Sequence, residues 1–320
     1  MNDIKLVNID SIEIINSDEQ YVYDIEIDRD NAHNFFANDI LVHNSVYLSI
    51  APLLKHHNIP LLTDGKVTPQ VYEVIDNLNN YINEKVKERM INSLNSLDPR
   101  IFFKRESIID KGLFLQKKRY VAHVVDDEGI VCDKWKYVGV EVVRTAMPKA
   151  IKPYVKKIIE TMIGVQNRAD TNKVLNEAYE VLKSLKPEEI AYVMGMKDYD
   201  KHANNCKDFT TAKGMPVHVK SAYFYNTLIK KLDLETKYEK LQSGDKLRWM
   251  YIKTPNKYNI KTIAFKYYYP AEFSALFQPD YETMFEKIIF SVVERFYAAV
   301  KWPSHKPNEQ TTVDLFDLFG

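Results

Sequence analysis

The hydrophobic positions of this chain follow two periods, and the change between them comes near residue 68. Before it the pattern is that of strands. Ser11-Ile12-Glu13-Ile14 alternates, and Tyr21-Val22-Tyr23-Asp24-Ile25-Glu26-Ile27 alternates more strongly, with Tyr21, Tyr23, Ile25 and Ile27 on one face. Asp28 to Asn31 makes a polar turn, and Asn38-Asp39 makes another before Ile40-Leu41-Val42. So few strands cannot close a core of their own, which implies a missing partner. Ser45 to Ile50 reads as one more β-type run that begins abruptly. From residue 68 the period is helical: Thr68 as N-cap, Pro69 in the first turn, then Val71, Ile75, Leu78, Ile82, Val86, Met90 and Leu94. Residues 112 to 138 read as a hairpin with Asp126-Asp127-Glu128-Gly129 as its turn. Two or three amphipathic helices are expected between Pro148 and Leu185, with others near 187–196, 216–231 and 280–300. Two strands rich in Lys and Tyr, Leu247 to Lys253 and Thr262 to Tyr269, interrupt them. The fold class is α+β, with no internal repeat and no long low-complexity linker.

Composition and charge divide this pattern further. At 320 residues the chain holds about two domains, and 45% apolar residues suffice for real cores. No apolar run reaches the ~18 residues of a membrane span, and the start, Met-Asn-Asp-Ile-Lys, lacks the pattern of a signal peptide. Cys132 and Cys206, far apart and without metal-ligand spacing, point to a reducing cytosol. The net charge of zero conceals a split. Residues 1 to 44 carry ten acidic residues against Lys5 and Arg29, a net of −8, which leaves +8 on the rest. An acidic head on a basic body suits two modules with different partners; chance clustering in a mixed surface is the plainer alternative.

The candidate chemistry of the head lies at its end. Ser45 offers a hydroxyl nucleophile. The Asn44 side-chain amide can attack its own main-chain carbonyl, and His43 stands beside that carbonyl with a side chain that titrates near neutrality. Val22-Tyr23-Asp24-Ile25-Glu26-Ile27, then His33 through Leu41-Val42-His43-Asn44 and Ser45, resembles the C-terminal splicing region of an intein, a small all-β fold of the HINT type. Asp39 departs from the family, which has glycine there. The resemblance implies that Asn44 cyclises, that Ser45 accepts the acyl group, and that His43, His33 and Asp24 assist proton transfer. The family's N-terminal region is absent, so the implied object is the C-terminal half of a split intein. It would work only after docking onto a separate N-half, towards which the acidic surplus would steer it.

The body carries Gly112-Leu113-Phe114-Leu115-Gln116-Lys117-Lys118-Arg119-Tyr120, three cations and an aromatic at a strand end. Such cations can meet phosphates while the ring packs behind them, although most such runs are solvated faces. Lys118-Arg119-Tyr120 is similar to the Lys-x-Tyr motif of family B DNA polymerases of the phage type. Arg105-Glu106, Gly139-Val140-Glu141, Pro148-Lys149-Ala150 and Lys213-Gly214-x-Pro216-x-His218-Val219 extend the likeness. It implies that Lys117, Lys118, Arg119 and Tyr120 touch DNA. Ser45-Val46-Tyr47-Leu48 would follow the two aspartates that hold catalytic Mg2+, which would lie at the end of another polypeptide; Glu106 would be a carboxylate near the metals, or else a surface strand glutamate. The tail, with Leu315, Phe316, Leu318 and Phe319, resembles a sliding-clamp peptide of replicative polymerases, with folding back on the body as the alternative.

The resemblances together imply four segments: an intein C-terminal fragment at 1–44, part of a polymerase palm at 45–147, a mainly helical thumb at 148–302, and a linker with clamp-binding tail at 303–320. Splicing itself needs no cofactor. The implied partners are the N-terminal polymerase chain with its intein half, primer-template DNA with dNTP, and a sliding clamp, in the cytoplasm of a bacterial host cell. A non-enzymatic DNA- and clamp-binding fragment with a relic intein segment is the alternative.

Overall fold

In the computed structural model the described residues are 35–37, 40–42, 47–99, 101–211 and 213–307. The strands expected at Ser11–Ile14 and Tyr21–Ile27, and the clamp-like tail, lie outside them. Two compact units divide the chain: Met1–Ile108 with Val125–Cys132, and Ile109–Val124 with Asp133–Gly320. The architecture is mixed α+β, built from small sheets and several helices.

In the first unit, β1 (Phe35–Ala37) pairs antiparallel with β2 (Ile40–Val42), with Phe35 opposite Val42 and Ala37 opposite Ile40. The β-type run expected at 45–50 is not a strand where it is described. Tyr47 makes a single bridge, and Ile50 is already helical as the N-cap of α1 (Ala51–His56). Pro52 explains this, because its fixed φ favours the first turn of a helix. A two-stranded ribbon, β3 (Leu62–Thr63) and β4 (Lys66–Val67), turns at Asp64-Gly65, both at positive φ (52° and 74°). That is the Asp-Gly chemistry of a tight hairpin.

The long helix follows as α2 (Pro69–Asn92), with Thr68 in the N-cap position. Thr68 makes no side-chain cap; its hydroxyl instead donates to the Pro60 carbonyl at 2.9 Å and ties the helix start to the preceding loop. Among the described residues of this unit the core is Leu54, Val67, Val71, Ile108 and Val125.

A meander of β5 (Ser107–Gln116), β6 (Arg119–Asp127) and β7 (Ile130–Val138) has β6 in the middle. The single hairpin expected over 112–138 is thus three strands, and of its expected turn only Glu128-Gly129 turns, at φ 52° and 89°, while Asp126 and Asp127 end β6. Residues 107–108, 125–127 and 130–132 of these strands belong to the first unit and the remainder to the second.

The second unit holds an extensive core. It includes α3 (Lys152–Val165) and α4 (Arg168–Ser184), the amphipathic pair expected between 148 and 185. Asn167 caps α4, accepting from the Asp170 N–H at 3.1 Å. The helix expected at 187–196 is only one turn, α5 (Pro187–Ile190), before the chain becomes β8 (Tyr192–Gly195). The override is tertiary. Tyr192 pairs with Trp249 and stacks on its ring at 4.8 Å.

A short α6 (Tyr199–Ala203) precedes α7 (Val217–Lys231), which is followed by β9 (Lys246–Tyr251) and β10 (Thr262–Phe265). The sheet order is β10-β9-β8, antiparallel throughout. A short α8 (Ala271–Ser274) leads to α9 (Tyr281–Phe285), a π-helical turn at Glu286–Phe290 and α10 (Ser291–Ala299). Together these last three span the helix expected at 280–300.

Asn226 on α7 shows how polar groups lock this unit. Its amide donates to the Leu241 carbonyl at 2.7 Å and accepts from the Leu241 N–H at 2.9 Å, and it also donates to the Tyr199 hydroxyl at 2.8 Å. Asn226→Ala leaves the Leu241 groups unpaired and is expected to lower unfolding stability by roughly 1–3 kcal/mol. Urea denaturation of the full chain checks it.

Candidate nucleic-acid interface

The basic run sits on the turn between β5 and β6. Lys117 and Lys118 form the turn itself, both exposed, with Lys118 at φ 60°. Among the described residues neither lysine is paired with a carboxylate. Arg119 is only half-exposed, with its guanidinium 3.6 Å from Glu141. Tyr120 is buried and stacks on the half-exposed ring of Phe114, with centroids 5.0 Å apart. Of the four predicted DNA contacts, therefore, two reach freely into solvent, one is shared with a carboxylate, and one packs behind them.

Gly139 fixes this arrangement. It lies at φ +64°, and a Cβ there would stand 2.0 Å from the Lys118 carbonyl oxygen. Only glycine permits so close a crossing. Just beyond, a 3-10 turn at Glu141–Val143 buries Val142 and presents Glu141. The Glu141 carboxylate meets Arg119 and Arg144 at 3.6 Å and Arg295 at 2.5 Å. Burial pushes this carboxyl up, but its backbone hydrogen bond and the arginines outweigh that and hold it below the usual range. Further along, Pro216 stands at the N-cap of α7 with His218 in the first turn. Burial, reinforced by nearby His202, lowers the His218 pKa and favours the neutral ring.

Across the same meander, His123 on β6 lies between two carboxylates, Nδ1 2.6 Å from Asp110 on β5 and Nε2 2.5 Å from Asp133 on β7. Trp135 packs against the ring at 4.9 Å. The two ring nitrogens point to opposite sides, so this is a cross-strand bridge and not a chelate. Sequence reasoning missed it; strand alternation across both turns was the signal that could have found it.

Glu106 lies half-buried at the head of β5, and its carbonyl accepts from the Glu128 N–H at 2.6 Å. The neighbouring Arg105 bonds to Asp126, which is fully buried. Asp126 also accepts from the Tyr72 hydroxyl at 2.8 Å and the Gly129 N–H at 3.0 Å, while the Arg105 guanidinium covers the Tyr72 ring at 5.2 Å. Asp126 came up in the sequence only as a turn residue. The described residues contain no group of three His, Cys, Asp or Glu side chains able to hold a metal ion. They do not make a two-metal centre by themselves, and Glu106 belongs to no such group among them. His33, His43, Asn44, Ser45 and Asp24, with Leu315, Phe316, Leu318 and Phe319, lie outside the described residues.

Burial raises the Asp126 pKa, but the Tyr72, Gly129 and Arg105 hydrogen bonds more than reverse it, so the folded-state value is depressed. Its stabilisation is therefore present above the unfolded pKa of about 3.9 and is lost as pH falls through the folded value. Asp126→Asn is expected to destabilise the chain by about 3 kcal/mol at pH 7. The gap to the unsubstituted chain should narrow steadily below pH ~4, as chemical denaturation at several pH values will show.

No protein-family model matches the chain. Its sequence is 25% identical over 314 residues to a DNA polymerase of Thermococcus litoralis, a match that covers 97% of this chain and 16% of that protein. A DNA polymerase of Thermococcus aggregans is 25% identical over 299 residues, covering 92% of this chain and 14% of the relative. One from Thermococcus sp. (strain GE8) is 26% identical over 299 residues, covering 93% and 14%. The chain thus spans no more than 16% of the length of these curated relatives. At 97% coverage, most of the first 44 residues also fall inside the match. Nearly the whole chain is related by sequence to these DNA polymerases.

Proposed function

We propose that this chain is the C-terminal part of a family B DNA polymerase of the phage type, preceded by the C-terminal half of a split intein. The observation that carries the polymerase half is the relation to DNA polymerases over nearly the whole length, joined to a turn that presents Lys117 and Lys118 to solvent. Two unpaired cations on a rigid turn, with an aromatic stack behind them, suit a phosphate backbone read without regard to sequence. In this reading 45–147 completes a palm, 148–302 forms a thumb that grips the duplex, and the tail beyond 303 engages a sliding clamp through Leu315, Phe316, Leu318 and Phe319.

The splicing half rests on His43-Asn44-Ser45 and on the β1-β2 hairpin that leads into it. The Ser45 hydroxyl would take over the acyl group held by the N-half, forming an ester. The Asn44 side-chain nitrogen then attacks its own main-chain carbonyl, closing a succinimide and releasing the Ser45 amine. His43 would protonate that leaving nitrogen, with His33 and Asp24 assisting. The freed amine attacks the neighbouring ester, and the acyl group moves from oxygen to nitrogen to give an ordinary peptide bond. Mg2+, when bound to the assembled polymerase, would stabilise phosphoryl transfer. Its main ligands would come from the N-terminal chain, with Glu106 beside them. The precursor alone would be inactive as a polymerase.

Asn44→Ala, mixed with the matching N-half, is expected to give no ligated product on a denaturing gel; normal ligation by that variant would exclude splicing at this bond. For the body, the chain should bind primer-template DNA with an affinity that falls steeply with salt. Lys117→Ala combined with Lys118→Ala should weaken that binding and reduce the log–log salt slope by about 2, near one unit for each phosphate no longer neutralised. Fluorescence anisotropy at several salt concentrations measures both quantities, and an unchanged slope would remove the turn from the interface.

A further inference from the structure

Three arginines from distant parts of the chain share one carboxylate. Arg119 opens β6, Arg144 follows the 3-10 turn at Glu141–Val143, and Arg295 lies on α10. All of them belong to the second unit. Each reaches the same oxygen, Glu141 Oε1: Arg119 Nη2 and Arg144 Nη2 at 3.6 Å, and Arg295 Nη1 at 2.5 Å. No two of these nitrogens can be further apart than about 7 Å, twice the longer distance. Among the described residues no second carboxylate meets any of the three. Two positive charges are left uncompensated.

Exposure orders the cluster. The side chains of Glu141 and Arg119 are 18% and 31% exposed, whereas those of Arg144 and Arg295 are 56% and 52% exposed. The acid is the inner member, and two guanidinium groups are the outer ones. A guanidinium carries five N–H donors. Arg295 gives Glu141 one hydrogen bond, from Nη1, and Arg144 stands beyond hydrogen-bond reach of it. Most donors of the outer pair are therefore open to a further acceptor.

The chemistry selects that acceptor. Like charges gathered in so small a space repel, and an anion placed against them relieves the repulsion. Guanidinium forks match the oxygens of a phosphate, and two forks this close can hold one tetrahedral group between them. The position selects its source. Gly139, two residues before Glu141, crosses the Lys118 carbonyl. The cluster thus adjoins the turn that presents Lys117 and Lys118, and Arg119 belongs to both.

We propose that Arg144 and Arg295 together form a site for one phosphate group, supplied by the backbone of the duplex that meets Lys117 and Lys118, at a different phosphate. The proposal rests on the polymerase reading above. The duplex is then held at two points of one unit, the β5–β6 turn and the outer face of the Glu141 cluster. A helix 154 residues away from Glu141 in sequence joins the interface.

Fluorescence anisotropy of a labelled primer-template duplex, with the full chain at several salt concentrations, is the test. Arg144→Gln with Arg295→Gln should raise the Kd by roughly tenfold at low salt and reduce the log–log slope by about 1, the value for one phosphate. Arg144→Lys with Arg295→Lys keeps both charges and loses both forks, so it should raise the Kd while keeping the parent slope. Should the glutamine pair unfold, the lysine pair still decides. Lys85→Gln, which removes a paired cation from α2, should change neither quantity. A slope loss near 2 would mean two separate phosphates, and an unchanged slope would mean none; either overturns the site. In the second case the duplex interface survives if the Lys117 and Lys118 variants still lower the slope. Inorganic pyrophosphate, titrated by calorimetry, separates the sources: the parent should bind the duplex more tightly. Pyrophosphate binding that the glutamine pair abolishes, in a parent that binds no duplex, would refute the backbone source and the polymerase reading together.

Discussion

The crossing of residue 139 over the Lys118 carbonyl is the constraint from which the basic hairpin takes its shape. A side chain at that position would stand 2.0 Å from the oxygen, so the chain can pass only as glycine. Two consequences follow. The Lys117-Lys118 turn is backed by main chain, which helps hold Lys118 at a positive φ that costs a non-glycine residue about 1 kcal/mol or more. And Glu141 arrives two residues later, close enough to engage Arg119. The hairpin thereby ranks cations that look equivalent in sequence: Arg119 is partly neutralised within the fold, and Lys117 and Lys118 are left exposed, with no carboxylate partner among the described residues.

The two units are stabilised in different ways. The second has an extensive hydrophobic core, in which polar links such as Asn226 to Leu241 add direction to burial. Among its described residues the first has five core side chains and a set of tethers: Thr68 to Pro60, Asn83 to Phe103, and the Asp126 network with Tyr72, Arg105 and Gly129. Each such bond contributes on the order of 1 kcal/mol, with more for those to a charged group. Directional bonds fix geometry without covering area. That is how the segment leading to Glu106 can be held in place with few core side chains around it.

The sequence spoke clearly wherever the determining interaction is local. The helical period of α2, α3, α4 and α7 is read within single elements, and Glu128-Gly129 needs only its own backbone. It misled at 187–196, where Tyr192 is drawn into a sheet by Trp249, and at 48–50, where Pro52 starts a helix earlier than the β-type residues imply. The Asp126 network was out of reach because Tyr72 and Arg105 come from other elements, so an inward strand carboxylate read as part of a turn. The motif Lys117–Tyr120 was legible as chemistry but not as a hierarchy, since Glu141 enters only through the fold.

A chain interruption at Ser45 would fall inside a domain and not between two. Interruptions between domains leave each side with a closed core and no reason to reassociate. An interruption within a core leaves apolar surface on both fragments, and that surface supplies its own driving force for reassembly. Among the described residues of the first unit, a five-residue core with Leu48, Leu94 and Phe102 left exposed is what such a cut would leave on this side. Ser45 would then serve twice, as the splicing nucleophile and as the residue after the polymerase's metal-binding aspartates. Docking of the two polymerase parts would bring the ends of both chains to the place where the catalytic site must be completed, so assembly and bond formation would depend on the same geometry.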